Sequence, residues 1–308
     1  MLTDHFCKKG EKKMKKLTAV LLALLLILSL CSCAKKEEAA PAEDTSADVE
    51  EEVIEEESDE EPKDYTIVSG KLTVATSPDF APYEFYSINE DEEYVLSGFD
   101  PALAQYIADY LGLELDIIPM DFDGVLAALA AGNVDLGMAG LSPDPERADA
   151  MDFSDIYYKG GQSFVTNKDN ADSFSDLESL NAVGKQIGAQ NGSIQMDLAN
   201  EYSADADIVS LVKVTDIVGE LVAGTLDGAY IETVVAETYQ KNYPELVIVC
   251  DVPYESEGSS VGVSKGNDVL LAKVNEAIAA ANSDGSFAAF VAEANELAAG
   301  DIYEGVLD

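Results

Sequence analysis

The sequence predicts an α/β protein of two lobes, with a ligand cleft between them and a hinge made of two connecting strands. Three observations carry this reading. From Leu72 onward, short apolar runs alternate with stretches of helical period, the pattern of repeated βαβ units. An internal echo sets Leu129-Ala-Ala-Gly-Asn-Val-Asp135 against Leu221-Val-Ala-Gly-Thr-Leu-Asp227: a helix end, a glycine cap, then an aspartate opening a strand. Each copy has an acid at the preceding helix start, Asp123 and Asp216. The strands that follow deliver polar groups at their carboxyl ends, Gly140 and Ser142 in one copy and Glu232 in the other, where open α/β sheets place ligands. Helix–glycine–strand junctions occur in many α/β proteins, so the echo is weighed together with these polar groups.

Taken in order, Leu72–Thr76 reads as a buried strand entering Ser77-Pro-Asp-Phe-Ala-Pro-Tyr-Glu84, a loop marked by two prolines. A helix follows Gly98, with Asp100 as its cap, Pro101 in the first turn, and Leu103, Tyr106, Ile107, Tyr110 and Leu111 on one face. Leu115–Ile118 is the next strand. Asp123 is expected to cap a second helix that turns Val125, Leu126 and Leu129 inward and closes at Gly132. Val134–Ala139 is a buried strand. The second lobe begins after Lys159-Gly-Gly161 and contains a strand over Lys185–Gln190, then Asn191-Gly-Ser193 and a helix. Ala206–Val214 and Leu246–Cys250 supply further strands. Val261–Val263 returns to the first lobe, which helices at about 268–281 and 286–298 complete. The predicted organisation is residues 65–160 with 262–308 in lobe 1 and 161–261 in lobe 2. Chain crossings near 160–168 and 254–264 form the hinge.

The segments before residue 65 are of another kind. A lysine-rich stretch at 8–16 precedes an apolar run from Leu17 to Leu30, of signal-peptide length and too short to span a bilayer comfortably. Met14-Lys-Lys is a better signal start than Met1. Leu30-Cys-Ser-Cys33 ends the run, and Cys33, preceded by a small residue, fits the cleavage and acylation site of a lipoprotein signal peptide better than Cys31 does. Residues 1–32 are therefore expected to be removed. Residues 33–64, acidic and without aromatics until the domain begins, read as a lipidated cysteine and a disordered tether.

Composition excludes several classes. A formal charge of −42 offers no basic face for phosphate, so nucleic acid is not expected as a partner. The single histidine, His5, lies in the segment to be removed, which argues against a histidine triad or a histidine-based zinc site, and no cofactor or metal is expected. Acylation of Cys33 would leave Cys250 as the one free thiol and no disulfide framework. Against seventeen lysines stands one arginine, Arg147, in Ala139-Gly-Leu-Ser-Pro-Asp-Pro-Glu-Arg147. Its fork can grip a carboxylate through two parallel hydrogen bonds, as lysine cannot. Free N–H groups at the start of the helix after Asn191-Gly-Ser193 make a second anion site.

With these residues placed, the chain resembles the polar amino-acid-binding proteins of solute-binding family 3, which serve ABC transporters. The resemblance spans about Gly70 to Ala298. Its motifs occur in order: Ser77-Pro-Asp-Phe-Ala-Pro-Tyr-Glu-Phe, Gly98-Phe-Asp100, Met120-Asp-Phe-Asp-Gly124, Pro145-Glu-Arg147, Asp152-Phe-Ser-Asp-Ile-Tyr-Tyr158 and Lys265-Gly-Asn-Asp268. It implies a periplasmic-binding-protein-like fold and a non-catalytic receptor that takes an amino acid outside the cytoplasm and delivers it to a membrane permease. The receptor would be a monomer anchored by lipid to the outer face of the cytoplasmic membrane, on the periplasmic side where an outer membrane exists. It further implies that Arg147 clamps the ligand α-carboxylate with Gly140, Ser142 and the N–H groups of Ser193 and Ile194, that Glu232 takes the α-ammonium, and that Phe80 and Phe122 sandwich the side chain.

Some positions depart from the family pattern. Ser77 stands where relatives that bind cationic ligands often carry an aspartate, which makes a cationic ligand less secure and admits a neutral polar one such as glutamine or cystine. Gln190 replaces a lysine that glutamine binders can carry, and Ile194 lacks a hydroxyl that some relatives use. The competing expectation is an enzyme on the same scaffold, such as a cyclohexadienyl dehydratase, in which Glu232 would be cast as the acid.

Overall fold

The computed structural model describes residues 65–300 apart from Glu90 and Glu257. The signal-peptide, Cys33 and tether expectations fall outside the described residues. Strands β1 (Lys71–Thr76), β4 (Glu114–Pro119), β5 (Leu136–Gly137), β12 (Ser259–Ser264) and β6 (Met151–Tyr158) form one sheet in the order β4-β1-β5-β12-β6. A second sheet runs β11-β7-β10-β8-β9, from β7 (Gln162–Asn167), β8 (Gln186–Gln190), β9 (Asp207–Leu211), β10 (Gly228–Glu232) and β11 (Leu246–Val252). Read from opposite ends, the two sheets have one plan: three parallel strands, then two antiparallel ones. A hairpin of β2 (Phe85–Ile88) and β3 (Tyr94–Ser97) stands apart.

The echoed aspartates explain why this plan repeats. Asp135 opens β5 and accepts from the backbone N–H of Thr73 (2.8 Å), from the Thr73 hydroxyl (2.6 Å) and from Ile67 N–H (2.8 Å). Asp227, entering β10, accepts from Gln186 N–H (2.9 Å) and Lys185 Nζ (2.8 Å). In each sheet the carboxylate satisfies the start of the neighbouring parallel strand, which would otherwise present an unpaired N–H. The glycines before them, Gly132 and Gly224, take φ of +66° and +76°, the left-handed conformation that ends a helix cheaply only for glycine.

Among the described residues seven α-helices cover the sheets: α1 (Phe99–Leu111), α2 (Phe122–Ala130), α3 (Ile194–Tyr202), α4 (Val214–Ala223), α5 (Thr233–Asn242), α6 (Asp268–Asp284) and α7 (Ser286–Ala298). Several expected boundaries are corrected. Gly98, at φ +124°, is the residue before α1, and a side chain there would run into the Tyr83 backbone. Asp100 lies inside the first turn and points away from its own helix, because Tyr157 and Gly140 supply its donors. Tyr110 is exposed, and Ala104 and Ala108 take its place on the buried face. Asp121, not Asp123, precedes α2, and Leu126 is only partly covered. β5 keeps two paired residues of the expected Val134–Ala139 strand, though Asp135 and Met138 still donate to Thr73 and Ala75. β9 ends at Leu211, and Val214 opens α4 instead of closing a strand.

The chain passes between sheets at 159–161 and again at 253–258. Ser259 pairs with Tyr158 and Ser260 with Ile156, so the return to the first sheet comes at Ser259, earlier than the expected boundary at Gly262. One apolar cluster includes residues on both sides of these crossings, among them Phe80 and Tyr83 of the first lobe and Val214 and Tyr239 of the second.

Replacing Asp135 by alanine leaves the buried Thr73 N–H without its side-chain acceptor. We expect a loss of about 2–3 kcal/mol in urea unfolding, and a smaller loss for Asp227→Ala, whose site is more open to water.

Candidate ligand-binding cleft

The loop after β1 and the strand ends of both sheets converge on one small cavity. Ser77, Asp79, Phe80, Glu84, Phe122, Ala139, Gly140, Ser142 and Arg147 form its first-lobe wall, and Gln190, Ile194 and Gln195 its second. The free space is about 10 Å³, room for about one water molecule, so the lobes are closed on each other. A larger depression of about 930 Å³ opens between Pro143–Glu146, α3 and Pro253–Ser256. The residues singled out from the sequence do not converge there.

Arg147 ends a 3-10 turn, Pro145–Arg147, whose first N–H groups are satisfied by Asp144. Its Nη2 donates to the Gly192 carbonyl of the second lobe (3.1 Å) and its Nη1 to the Ser142 carbonyl (3.4 Å). The guanidinium carbon lies 5.8 Å from the centre of the Phe122 ring, within cation–π range. Burial lowers its pKa from the usual arginine value, but a guanidinium remains charged in water-accessible conditions. Two of its five N–H donors are engaged with protein, which leaves the fork able to meet a carboxylate.

Phe80 and Phe122 both line the cavity and are nearly covered. Gly140, at φ +58°, lets the Phe80 ring approach; a Cβ there would stand 2.7 Å from its Cε1. The Gly140 N–H, however, is donated to Asp100 Oδ2 (3.2 Å), so it is not free for a ligand carboxylate as expected. Ser77 also lines the wall, with its hydroxyl donated to Asp79 Oδ1 (2.9 Å). Ser193 does not line the cavity. It caps α3, accepting from Met196 N–H, while its hydroxyl donates to the Gln190 carbonyl (2.8 Å); Ile194, the first residue of α3, does reach the wall.

Glu232 lies off the cavity, at the crossing between lobes. One carboxylate oxygen caps α5 by accepting from Val235 N–H (3.0 Å), and the other accepts from the Tyr83 hydroxyl (3.4 Å). Ser259 in turn donates to Tyr83 Oη (3.1 Å). Burial raises the Glu232 pKa to about 7, against these hydrogen bonds.

Three acids at or behind the cavity wall are not among the site residues expected from the sequence, where Asp100 reads as a helix cap. Asp79 accepts from Val214 N–H at the start of α4 (2.6 Å) and from Gln190 Nε2 (3.2 Å), both on the second lobe, and burial brings its pKa up to about 6. Glu84 is 0% exposed, and neither of its oxygens has a hydrogen-bond partner. Asp100 is equally buried, holds Tyr157 and Gly140, and is raised by burial to about 6. Asp79 and Glu84 sit inside the Ser77–Glu84 loop, where two acids among prolines and aromatic residues are the available signal. Among the described residues no cluster of histidine, cysteine or acid side chains could hold a metal ion.

Two lobes of one plan, closed over a cavity lined by a guanidinium, carboxyls and two phenylalanines, define a cleft-type receptor for a small polar solute. Residues 72–293 match the bacterial extracellular solute-binding proteins, family 3, and the chain belongs to that family. The arginine-binding extracellular protein ArtP of Bacillus subtilis is 35% identical over 213 residues, covering 68% of this chain and 79% of that protein. Among solved structures, the substrate-binding protein AbpA from Streptococcus pneumoniae bound to L-arginine matches with a TM-score of 0.71 and 31% identity, over 75% of this chain and 97% of that one. An ancestral arginine-binding protein bound to glutamine matches at 0.66 and 34% identity, over 73% of this chain and 98% of that one.

Asp79, Asp100 and Glu232 all have raised pKa values when folded, so the folded protein binds protons that the unfolded chain releases. Stability is gained as pH falls through the folded values, near 7 and 6, and is complete below the ordinary carboxylate range. The melting temperature of the ligand-free protein should therefore rise from about pH 8 to about pH 5 in calorimetric scans. Asp79→Asn, which cannot titrate, should flatten the part of that rise near pH 6.

Proposed function

We propose that this protein is the ligand-binding component of an amino-acid ABC transporter and that its ligand carries a cationic side chain, arginine before others. The observation that carries the ligand class is Glu84: a fully buried carboxyl on the cavity wall with both oxygens unpartnered. Leaving such a group unpaired is costly, and an ammonium or guanidinium inserted between the lobes would satisfy it. Arg147 then takes the α-carboxylate, with Ser142 and the start of α3 beside it. Glu232 is the partner of the α-ammonium, reached as the lobes part and close again. Phe80 and Phe122 flank the aliphatic stem. ArtP is named for arginine and AbpA was solved with it, which supports the same choice.

The second reading is a neutral amide ligand. It is favoured by the Gln190 amide on the wall, by Ser77 where an acid was looked for, and by the ancestral relative solved with glutamine. In either case the protein acts as a receptor, not a catalyst. The crossings at 159–161 and 253–258 serve as its hinge, and closure is stabilised by contacts the ligand makes only between closed lobes. The receptor works as a monomer, held at the outer face of the membrane by acylated Cys33 and delivering ligand to the permease.

Calorimetric titration with arginine, lysine, histidine, glutamine and cystine should give arginine the lowest Kd. Glu84→Gln should weaken arginine about thirtyfold or more, roughly 2 kcal/mol, and leave glutamine nearly unchanged. Arg147→Lys should weaken every ligand by more than about tenfold. Glutamine binding tighter than arginine, together with no effect of Glu84→Gln, would favour the neutral reading. For the anchor, Cys33→Ala should move the protein from the membrane fraction to the medium or periplasm.

A further inference from the structure

Glu84 on the cavity wall and Asp100 behind it are buried together, and they are not equivalent. Asp100 accepts from the Tyr157 hydroxyl (2.7 Å) and from Gly140 N–H (3.2 Å). Glu84 accepts from nothing, and its side-chain neighbour is Asp100 itself. Two carboxylates in contact, 0% exposed, cannot both stay charged unless a cation joins them; otherwise one keeps a proton. The donors decide which. Asp100, with two hydrogen bonds to its oxygens, holds the negative charge, and Glu84 keeps the proton and directs it to Asp100.

The charges that act on Glu84 push its pKa in one direction. Asp100 of α1 and Asp79 of its own loop add negative charge, and Tyr157 of β6 and the adjacent Tyr83 are neutral phenols whose own pKa values burial pushes up. Arg147 shares the cavity wall but is bonded to the Ser142 and Gly192 carbonyls. Burial first, then the charges of Asp100 and Asp79, lift Glu84 well above the ordinary carboxyl range.

We propose that Glu84 and Asp100 form a proton-holding pair, and that a cationic side chain binds by exchange, its positive charge replacing the Glu84 proton. A carboxylic acid and a cationic ligand become a carboxylate–cation pair, and the proton leaves to solvent. Asp100 is a positioning residue in this exchange, since it touches no ligand and acts by fixing where the proton sits. The inference rests on the reading of the ligand as a cationic amino acid. It also makes specificity depend on pH, because a neutral ligand can bind with Glu84 still protonated, whereas a cation competes with the proton.

The experiment is calorimetry of the full chain with arginine between about pH 6 and about pH 7, in buffers of different ionisation enthalpy. Citrulline, which has the same α-groups and an uncharged ureido end, controls for Asp79, Asp100 and Glu232, which titrate in the same range. Arginine should release about one proton more than citrulline, and its affinity should rise by up to about tenfold per pH unit. Infrared difference spectra should show a protonated-carboxyl band lost on adding arginine and kept on adding citrulline. If citrulline binds too weakly to titrate, Asp100→Asn supplies the comparison. With the neighbouring charge gone, the proton release on arginine binding should fall toward none. Arginine that binds tightly with no extra proton released and no carboxyl band lost overturns the exchange and leaves the ligand reading standing. Failure of arginine to bind where glutamine or citrulline does overturns both.

Discussion

The closed cleft depends on one carboxylate that crosses from lobe to lobe. Asp79 belongs to the first lobe, yet two of its donors, Val214 N–H and Gln190 Nε2, belong to the second, and its backbone carbonyl accepts from Tyr239 of α5 (3.3 Å). The start of α4 suits an anion, since its N–H groups have no partners within the helix and the helix dipole is positive there. These bonds exist only while the lobes are together. Their gain, of order 1.5–3 kcal/mol for each bond to a charged group, is set against a desolvation cost of several kcal/mol for the buried carboxylate. Terms this close in size leave closure near balance, which is what a receptor needs if ligand is to decide the population of the closed state. The Arg147 bond to Gly192 and the Asp123 bond to Asn191 (3.2 Å) add to the same contact without changing its character.

Charge accounts for the rest of the site. Asp79 and Glu84 line the cavity with Asp100 behind them, and among the described residues Arg147 is the one cation on its wall. An amino-acid zwitterion adds no net charge, because its carboxylate answers Arg147 and its ammonium requires an acid of its own. A surplus of acid remains at the side-chain end. Protons can neutralise it, as the raised pKa values indicate, or a cation can. A neutral amide would meet Glu84 as a hydrogen-bonding acid, a weaker partner than a guanidinium meeting a carboxylate.

Much of the fold could be read from the sequence because its strongest signals are local and repeated. The echo around Asp135 and Asp227 held real structural content: each carboxylate completes the edge of a parallel pair, and both sheets share one strand order. Helix starts were less legible. Asp100 and Asp123 have the residue type and position of caps, but each is drawn to a partner distant in sequence, Asp100 to Tyr157 and Gly140, Asp123 to Asn191 across the cleft. Local propensity has no access to such partners. The same limit shortened β5, whose flanks pair with β1 as single hydrogen bonds rather than as strand.

The site shows the same division more sharply. Arg147 was conspicuous because a lone guanidinium among lysines implies a task that needs its fork, and the structure sets it on the cavity wall. Composition offers no comparable sign for Asp79 or Glu84 in a chain with sixty acids. What distinguishes these two is burial, and burial follows from Pro78, Phe80, Pro82 and Tyr83, which fold the loop inward around Phe80 and carry its acids with it. An acid on such a loop must find a donor, a proton or a cation. Asp79 finds donors on the other lobe. Glu84 has no donor among the described residues, so it keeps a proton until a cation arrives, and that carboxyl defines the side-chain end of the site.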